Sequence, residues 1–205
     1  MPDDSASPNP IAATVAREIL GAVDGLVALR QPAYLAAVAR AAELLLDCVR
    51  RDGRIYIFGN GGSASDAQHI AAELIGRYKT ERRPIGAVAL TTDTSVLTAW
   101  SNDYEYETVF ARQLAGLARP GDIAWGLSTS GNSPNVLRAF EVAADMGVHT
   151  LALTGRSGGR MAEIADCAVV VPLTDTPRIQ EAHLITYHTL CEVLDHAFDS
   201  AGSAA

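Results

Sequence analysis

The sequence predicts a three-layer α/β sandwich: a five-stranded parallel sheet with helices on both faces, preceded by an N-terminal helix pair. Three observations carry this. At 205 residues and 48% hydrophobic, the chain can bury one large core and is too short for two comfortable ones. From Arg54 onward, short β-branched runs alternate with helical segments, and strands that are apolar throughout belong in a sheet covered on both faces. Glycine- and serine-rich loops then fall at the carboxyl ends of such runs, where ligands lie in open parallel sheets.

The first ten residues, MPDDSASPNP, are acidic and proline-bearing and read as a disordered N-terminus, neither a signal peptide nor a basic arm. Two helices follow, IAATVAREILGAVDGLVALR and YLAAVARAAELLLDCVR, apolar at three- and four-residue spacing. Their apolar stripes are wide for surface helices, so an antiparallel pair that also packs on another subunit is expected. Strands are expected at 54–59, 85–90, 122–128, 149–155 and 167–173. Helices are expected near 64–78, 94–101, 105–118, 133–147, 159–165 and 178–198. Residues 11–200 then make one domain, and 201–205 a tail.

Composition narrows the function. A net charge of −8 argues against nucleic acid or an anionic membrane surface as a partner. No stretch approaches the ~18 apolar residues of a membrane span, so the simplest location is cytoplasmic. Cys48, Cys167 and Cys191 lack CxxC spacing and read as buried free thiols in a reducing compartment. Such a protein can still take a phosphorylated metabolite, provided that backbone amides, helix ends or hydroxyls do the binding.

Two loops suit that task. In GNGGS (59–63), Gly59, Gly61 and Ala64 satisfy a dinucleotide fingerprint, but the acid expected about 20 residues on is missing and no GK[ST] follows. What remains is a neutral loop at a helix start, able to hold a phosphate or sugar hydroxyls, or else a plain turn capped by Ser63. STSGNS (128–133) follows the third strand and precedes Pro134 at a first helical position. A structural cap needs one hydroxyl, and this loop has four; an uncharged anion site explains it better. LTGRSGG (153–159) is poorer in hydroxyls and reads as structural.

The titratable groups lie on helices. His69 and Glu73 at i, i+4 share a face and can form a metal clamp, an acid/base couple or a helix salt bridge. On the last helix Gln180, His183, Leu184, Tyr187, His188 and Cys191 fall along a broad stripe, and periodicity does not choose between the two histidines. Asn102 and Asp103 stand beside tyrosines at a helix break, which a turn explains adequately.

GNGGSASDAQHIAAEL, the SND of 101–103, GLSTSGNSPNV, LTGRSGGRMA and RIQEAHL followed by His188 together resemble the sugar-isomerase (SIS) domain family, and within it the phosphoheptose isomerase family. The resemblance spans about residues 54–196 and implies a flavodoxin-like fold. It implies a zinc ion, one per subunit, held by His69, Glu73, Gln180 and His188, with Glu73 and His188 as the proton-transfer groups. It implies substrate contacts from Asn60, Gly61, Gly62, Ser63, Glu73, Asn102, Asp103, Ser128, Thr129, Ser130, Ser133 and Gln180. It also implies a homotetramer with active sites between subunits. One departure is Pro177, where some members carry an acid; Asp175 is the substitute at hand. The activity implied is aldose–ketose isomerisation of D-sedoheptulose 7-phosphate to D-glycero-D-manno-heptose 7-phosphate. The alternatives are an isomerase of another phosphosugar, or a non-catalytic regulator of the replication-initiation type that keeps both glycine–serine loops without the histidines.

Overall fold

The structure is a computed structural model and describes residues 9–199; of the N-terminus expected to be disordered over 1–10, residues 1–8 lie outside the described residues, as does the tail at 201–205, whereas Asn9 caps α1 and Pro10 begins it. In chain order the elements are α1 (Pro10–Ala28), α2 (Pro32–Arg50), β1 (Ile55–Gly59), α3 (Gly62–Ile75), β2 (Ala87–Ala89), α4 (Thr94–Asp103), a 3-10 turn (Tyr106–Thr108), α5 (Val109–Leu117), β3 (Ile123–Ser128), α6 (Pro134–Asp145), β4 (His149–Thr154), α7 (Gly159–Ile164), β5 (Cys167–Val170) and α8 (Thr176–Ala197).

All five strands pair in parallel, in the order β2-β1-β3-β4-β5. That is the doubly wound order in which the winding reverses between β1 and β3, and the crevice beyond that switch point is the natural ligand site. The expected three-layer architecture is borne out, with strand limits displaced by a few residues at most.

Strand side chains alternate between two cores. Ile55, Ile57, Ile123, Trp125, Leu127, Leu151 and Leu153 face α2, α3 and α8. Tyr56, Phe58, Ala124 and Ala152 face α5, α6 and Met161 of α7. Both faces of β1 and β3 are therefore dry, which is why those strands read as unbroken apolar runs rather than as alternation.

The N-terminal helix pair forms, and each helix packs on elements of the sandwich. α2 packs on β5 and α8, whereas α1 meets α8, with Gly21 and Gly25 against the Arg178 side chain and Arg178 Nη1 donating to the Glu18 carbonyl at 2.6 Å. Among the described residues of α1 only Gly25 is buried; Ile11, Val15, Ile19, Leu20, Val23 and Val27 are all more than half exposed. The wide α1 stripe, expected to pack on another subunit as well as on α2, faces outward in the protomer. Cys48 and Cys191 are buried and Cys167 half-buried, all three as free thiols. No helix among the described residues is long and apolar enough to cross a membrane.

Candidate active site between two helix starts and the α3–α8 seam

β1 and β3 end side by side, and each feeds a helix whose first turn opens on the same crevice. At the first, Gly61 caps α3 at φ +56°, so Ser63 lies inside the helix rather than at its cap, and is buried. At the second, the 128–133 loop turns through Gly131 at φ +67°, where a Cβ would lie 1.9 Å from the Gly158 carbonyl oxygen. Only glycine lets the serine loop and the loop after β4 meet backbone to backbone.

Ser133 occupies the cap position of α6 but makes no capping hydrogen bond. Its Oγ instead lies 2.8 Å from Ser128 Oγ, which is 3.4 Å from Ser130 Oγ. Three hydroxyls thus converge on one another in front of two helix N-termini, whose positive ends favour an anion. Asn60, Ser63, Ser128, Thr129, Ser130, Ser133 and Gln180, with Leu127 and Thr176, line a cavity of about 250 Å³. Among the described residues no lysine or arginine lines it; the cavity is built from neutral donors.

Asn60 is held by a residue that the motif reading passed over. Its amide and that of Asn135 exchange two hydrogen bonds of 2.8 Å, and Tyr106 donates its hydroxyl to Asn60 Oδ1 at 2.9 Å. Asn135 is buried in the first turn of α6, where an asparagine after Ser-Pro looks like ordinary helix-start chemistry.

The second half of the site is the seam between α3 and α8. The helices run in the same direction, because Gln180 meets Gly62 while His188 meets His69. A Cβ on Gly62 would fall 2.2 Å from Gln180 Nε2, so the glutamine amide rests directly on the α3 backbone. Further along, His69 Nε2 lies 3.0 Å from Glu73 Oε1 and 3.5 Å from His188 Nε2. Ligand atoms of His69, Glu73 and His188 all lie within 4.8 Å of one another. Two imidazole nitrogens and a carboxylate oxygen crowded together repel through their lone pairs unless protons or a cation sit among them. This donor set therefore fits a divalent metal of the borderline class.

Neighbours orient these groups. Tyr187 donates its hydroxyl to Asp66 Oδ1 at 3.3 Å and lies 3.1 Å from His69 Nδ1. Burial, then the nearby Asp66 charge, holds the Tyr187 phenol well above its ordinary pKa. It therefore stays protonated, and with its proton on Asp66 it accepts from His69 Nδ1–H, leaving Nε2 free to ligate. Burial also raises the Asp66 carboxyl, against the opposing hydrogen bond from Tyr187. His188 titrates below its usual value, first through burial and then through His69, which keeps it neutral near pH 7.

The choice between the two histidines is decided by which side of α8 meets the sheet. His183 is fully buried, lies 3.2 Å through Nε2 from the Thr154 carbonyl of β4, and leaves Nδ1 without a partner. Burial pushes its pKa down to about 4, so it is a neutral core residue. His188 belongs to the site.

Not every expected residue gathers here. Asn102 and Asp103 are exposed at the end of α4, bonded to each other at 2.9 Å, and line neither the serine cavity nor the seam. Gln180 borders the serine cavity, and no hydrogen bond joins it to the two imidazoles.

Comparison with known proteins matches this arrangement. Residues 21–155 match the SIS domain family model. The phosphoheptose isomerase of Helicobacter pylori strain Shi470 is 54% identical over 187 residues, covering 86% of this chain and 97% of that protein. The solved structure of the phosphoheptose isomerase from Neisseria gonorrhoeae superposes with a TM-score of 0.85 at 42% identity, covering 91% of this chain and 99% of that one. That from Francisella tularensis gives 0.86 at 33% identity, covering 92% and 100%. Hydroxyls gathered at two helix starts, a His/Glu/His cluster on the adjoining seam, and relatives this close over nearly their full length lead to one conclusion: the chain belongs to the SIS domain family and, within it, to the phosphoheptose isomerases.

Proposed function

We propose that the protein is an aldose–ketose isomerase that converts D-sedoheptulose 7-phosphate to D-glycero-D-manno-heptose 7-phosphate through an enediolate. The observation that carries this reading is the convergence of His69, Glu73 and His188 beside the serine cavity. Gln180, at the cavity, precedes His188 by eight residues, about 12 Å along α8, a separation suited to an extended sugar phosphate.

The reaction moves one proton between adjacent carbons and another between adjacent oxygens. Glu73, whose Oε1 lies 3.0 Å from His69 Nε2, carries the carbon-bound proton. His188, held neutral by burial, serves the oxygens. The hydroxyls of Ser128, Ser130 and Ser133, with Ser63, Thr129 and the amides of Gly61 and Gly62, hold the phosphate and fix the far end of the sugar. The locked Asn60 supplies a directed donor.

His69, Glu73 and His188 would hold one zinc ion per subunit, with Gln180 as the further ligand the family pattern supplies. Bound there, the metal contributes Lewis-acid polarisation of the carbonyl. A set with one carboxylate, one amide and two imidazoles is a weak site for zinc, so another divalent ion is an acceptable occupant.

We further propose a cytoplasmic homotetramer with active sites between subunits. The outward apolar face of α1 supports association, and Asn102 and Asp103 then complete a neighbour's site rather than their own. A non-catalytic regulator on the same fold has no use for the His/Glu/His cluster. The test is to incubate purified protein with sedoheptulose 7-phosphate, with and without chelator, and follow the aldose by NMR. Turnover that the chelator removes is expected; turnover of a six-carbon ketose phosphate alone would reassign the substrate.

A further inference from the structure

The segment 76–84, between α3 and β2, contains YKTERRP and reads as a solvated charged loop, yet it sends one arginine inward. The Arg82 side chain is 0% exposed and pairs with Asp195, itself 1% exposed, at 2.7 Å between Nε and Oδ1. Arg82 Nη1 donates to the Leu74 carbonyl at 2.9 Å and the Arg83 carbonyl at 3.0 Å, and Nη2 to the Glu73 carbonyl at 2.7 Å. Asp195 Oδ2 accepts the backbone N–H groups of Lys79 at 2.5 Å and Thr80 at 2.9 Å.

Placement gives this pair its meaning. Carbonyls 73 and 74 belong to the last turn of α3, where acceptors lack partners within the helix and a cation is favoured. One of them belongs to Glu73 itself. On α8, Asp195 follows His188 by seven residues, close to two full turns, so both face the same side. A single buried ion pair therefore ties the backbone of the α3 carboxylate to the stripe of α8 that carries the second imidazole. Two well-packed apolar side chains would cost less here than a buried ion pair.

We propose that Arg82 and Asp195 are positioning residues that set the spacing of Glu73 against His188, and through it the cation affinity and turnover of the site. The proposal rests on the functional reading above. Its test is the paired variant R82M/D195L, which removes both buried charges together, in the intact protein. Cobalt affinity by absorption titration, kcat, KM and the thermal transition are read side by side. The expected result is a cooperatively folded variant with KM within about threefold of the parent, cobalt affinity at least tenfold weaker and kcat at least tenfold lower, as for other residues that orient metal ligands.

If the double variant shows no cooperative transition, Asp195→Asn, which keeps the shape, takes the same measurements with the same expectation. Retention of affinity and kcat within twofold overturns the proposal and leaves the functional reading standing. A parent that binds cobalt but isomerises no phosphosugar overturns that reading, while the affinity difference still tests the pair. A parent that binds no divalent ion overturns the positioning role.

Discussion

The serine cavity and the α3–α8 seam adjoin each other but are built in opposite ways. The cavity comes mainly from two contiguous loops, each completed within six residues of chain, with Thr176 and Gln180 of α8 at its edge and neutral hydroxyls and helix ends as its chemistry. The seam is made by side chains 119 residues apart whose approach depends on how two helices pack. Local construction makes the cavity tolerant and general, suited to holding any phosphate. Long-range construction makes the seam specific. The two halves should therefore fail differently when altered.

The largest effect is expected at Glu73. Glu73→Gln keeps size and hydrogen bonding but removes the proton carrier, and kcat should fall roughly 10²–10⁴-fold, the usual worth of a positioned acid or base. KM should change little, because the serine cavity is untouched. Retained activity in this variant would remove Glu73 from the mechanism and leave the seam a cation site alone.

His183 supplies a control on the same helix. Its folded-state value of about 4 lies below the ordinary 6.5, so between those values the unfolded chain binds a proton that the folded chain does not. Its contribution is complete above about pH 6.5 and is lost as pH falls toward 4, about 3 kcal/mol in all at 1.36 kcal/mol per unit. His183→Gln preserves a donor to the Thr154 carbonyl and should flatten that part of the stability–pH curve in denaturant titrations. An unchanged slope would mean that His183 is not the group that titrates.

At the cavity, Ser133→Ala should raise KM about tenfold or more, since a hydrogen bond to a charged group is worth about 1.5–3 kcal/mol. Because this hydroxyl caps nothing, α6 should stay intact, and kcat and cation affinity should hold. A destabilised protein with unchanged KM would return the serine loop to a structural role.

These contrasts also explain what the sequence made legible. β1, β3 and β4 were readable because both faces are buried, and the serine loop because its surplus hydroxyls are contiguous. The His69–Glu73 pair was readable because i, i+4 positions always meet. His183 and His188 were not separable, since which flank of α8 meets β4 and which meets α3 is a tertiary fact. Asp66, Asn135 and Arg82 were passed over, and Tyr187 read only as one position of the α8 stripe, for the same reason: each is an ordinary residue for its local setting, and only its distant partner gives it a task. The α1 stripe faces outward in the protomer, and periodicity carries no information about which surface covers it.

Gln180 stands where the two regions join, and the smallest predicted effect tests to which it belongs. In Gly62→Ala the new methyl would start 2.2 Å from Gln180 Nε2 and must push the amide aside. The displaced group is the end of a flexible side chain, and alanine is favoured over glycine inside a helix by about 1 kcal/mol, so the fold should lose nothing. If Gln180 serves the cavity, KM should rise a few-fold while cation affinity measured by titration stays level. If it completes the metal set beside His69 and His188, affinity should fall first and drag kcat with it. A variant in which neither quantity moves would take Gln180 out of both regions and leave the cation to three ligands and solvent.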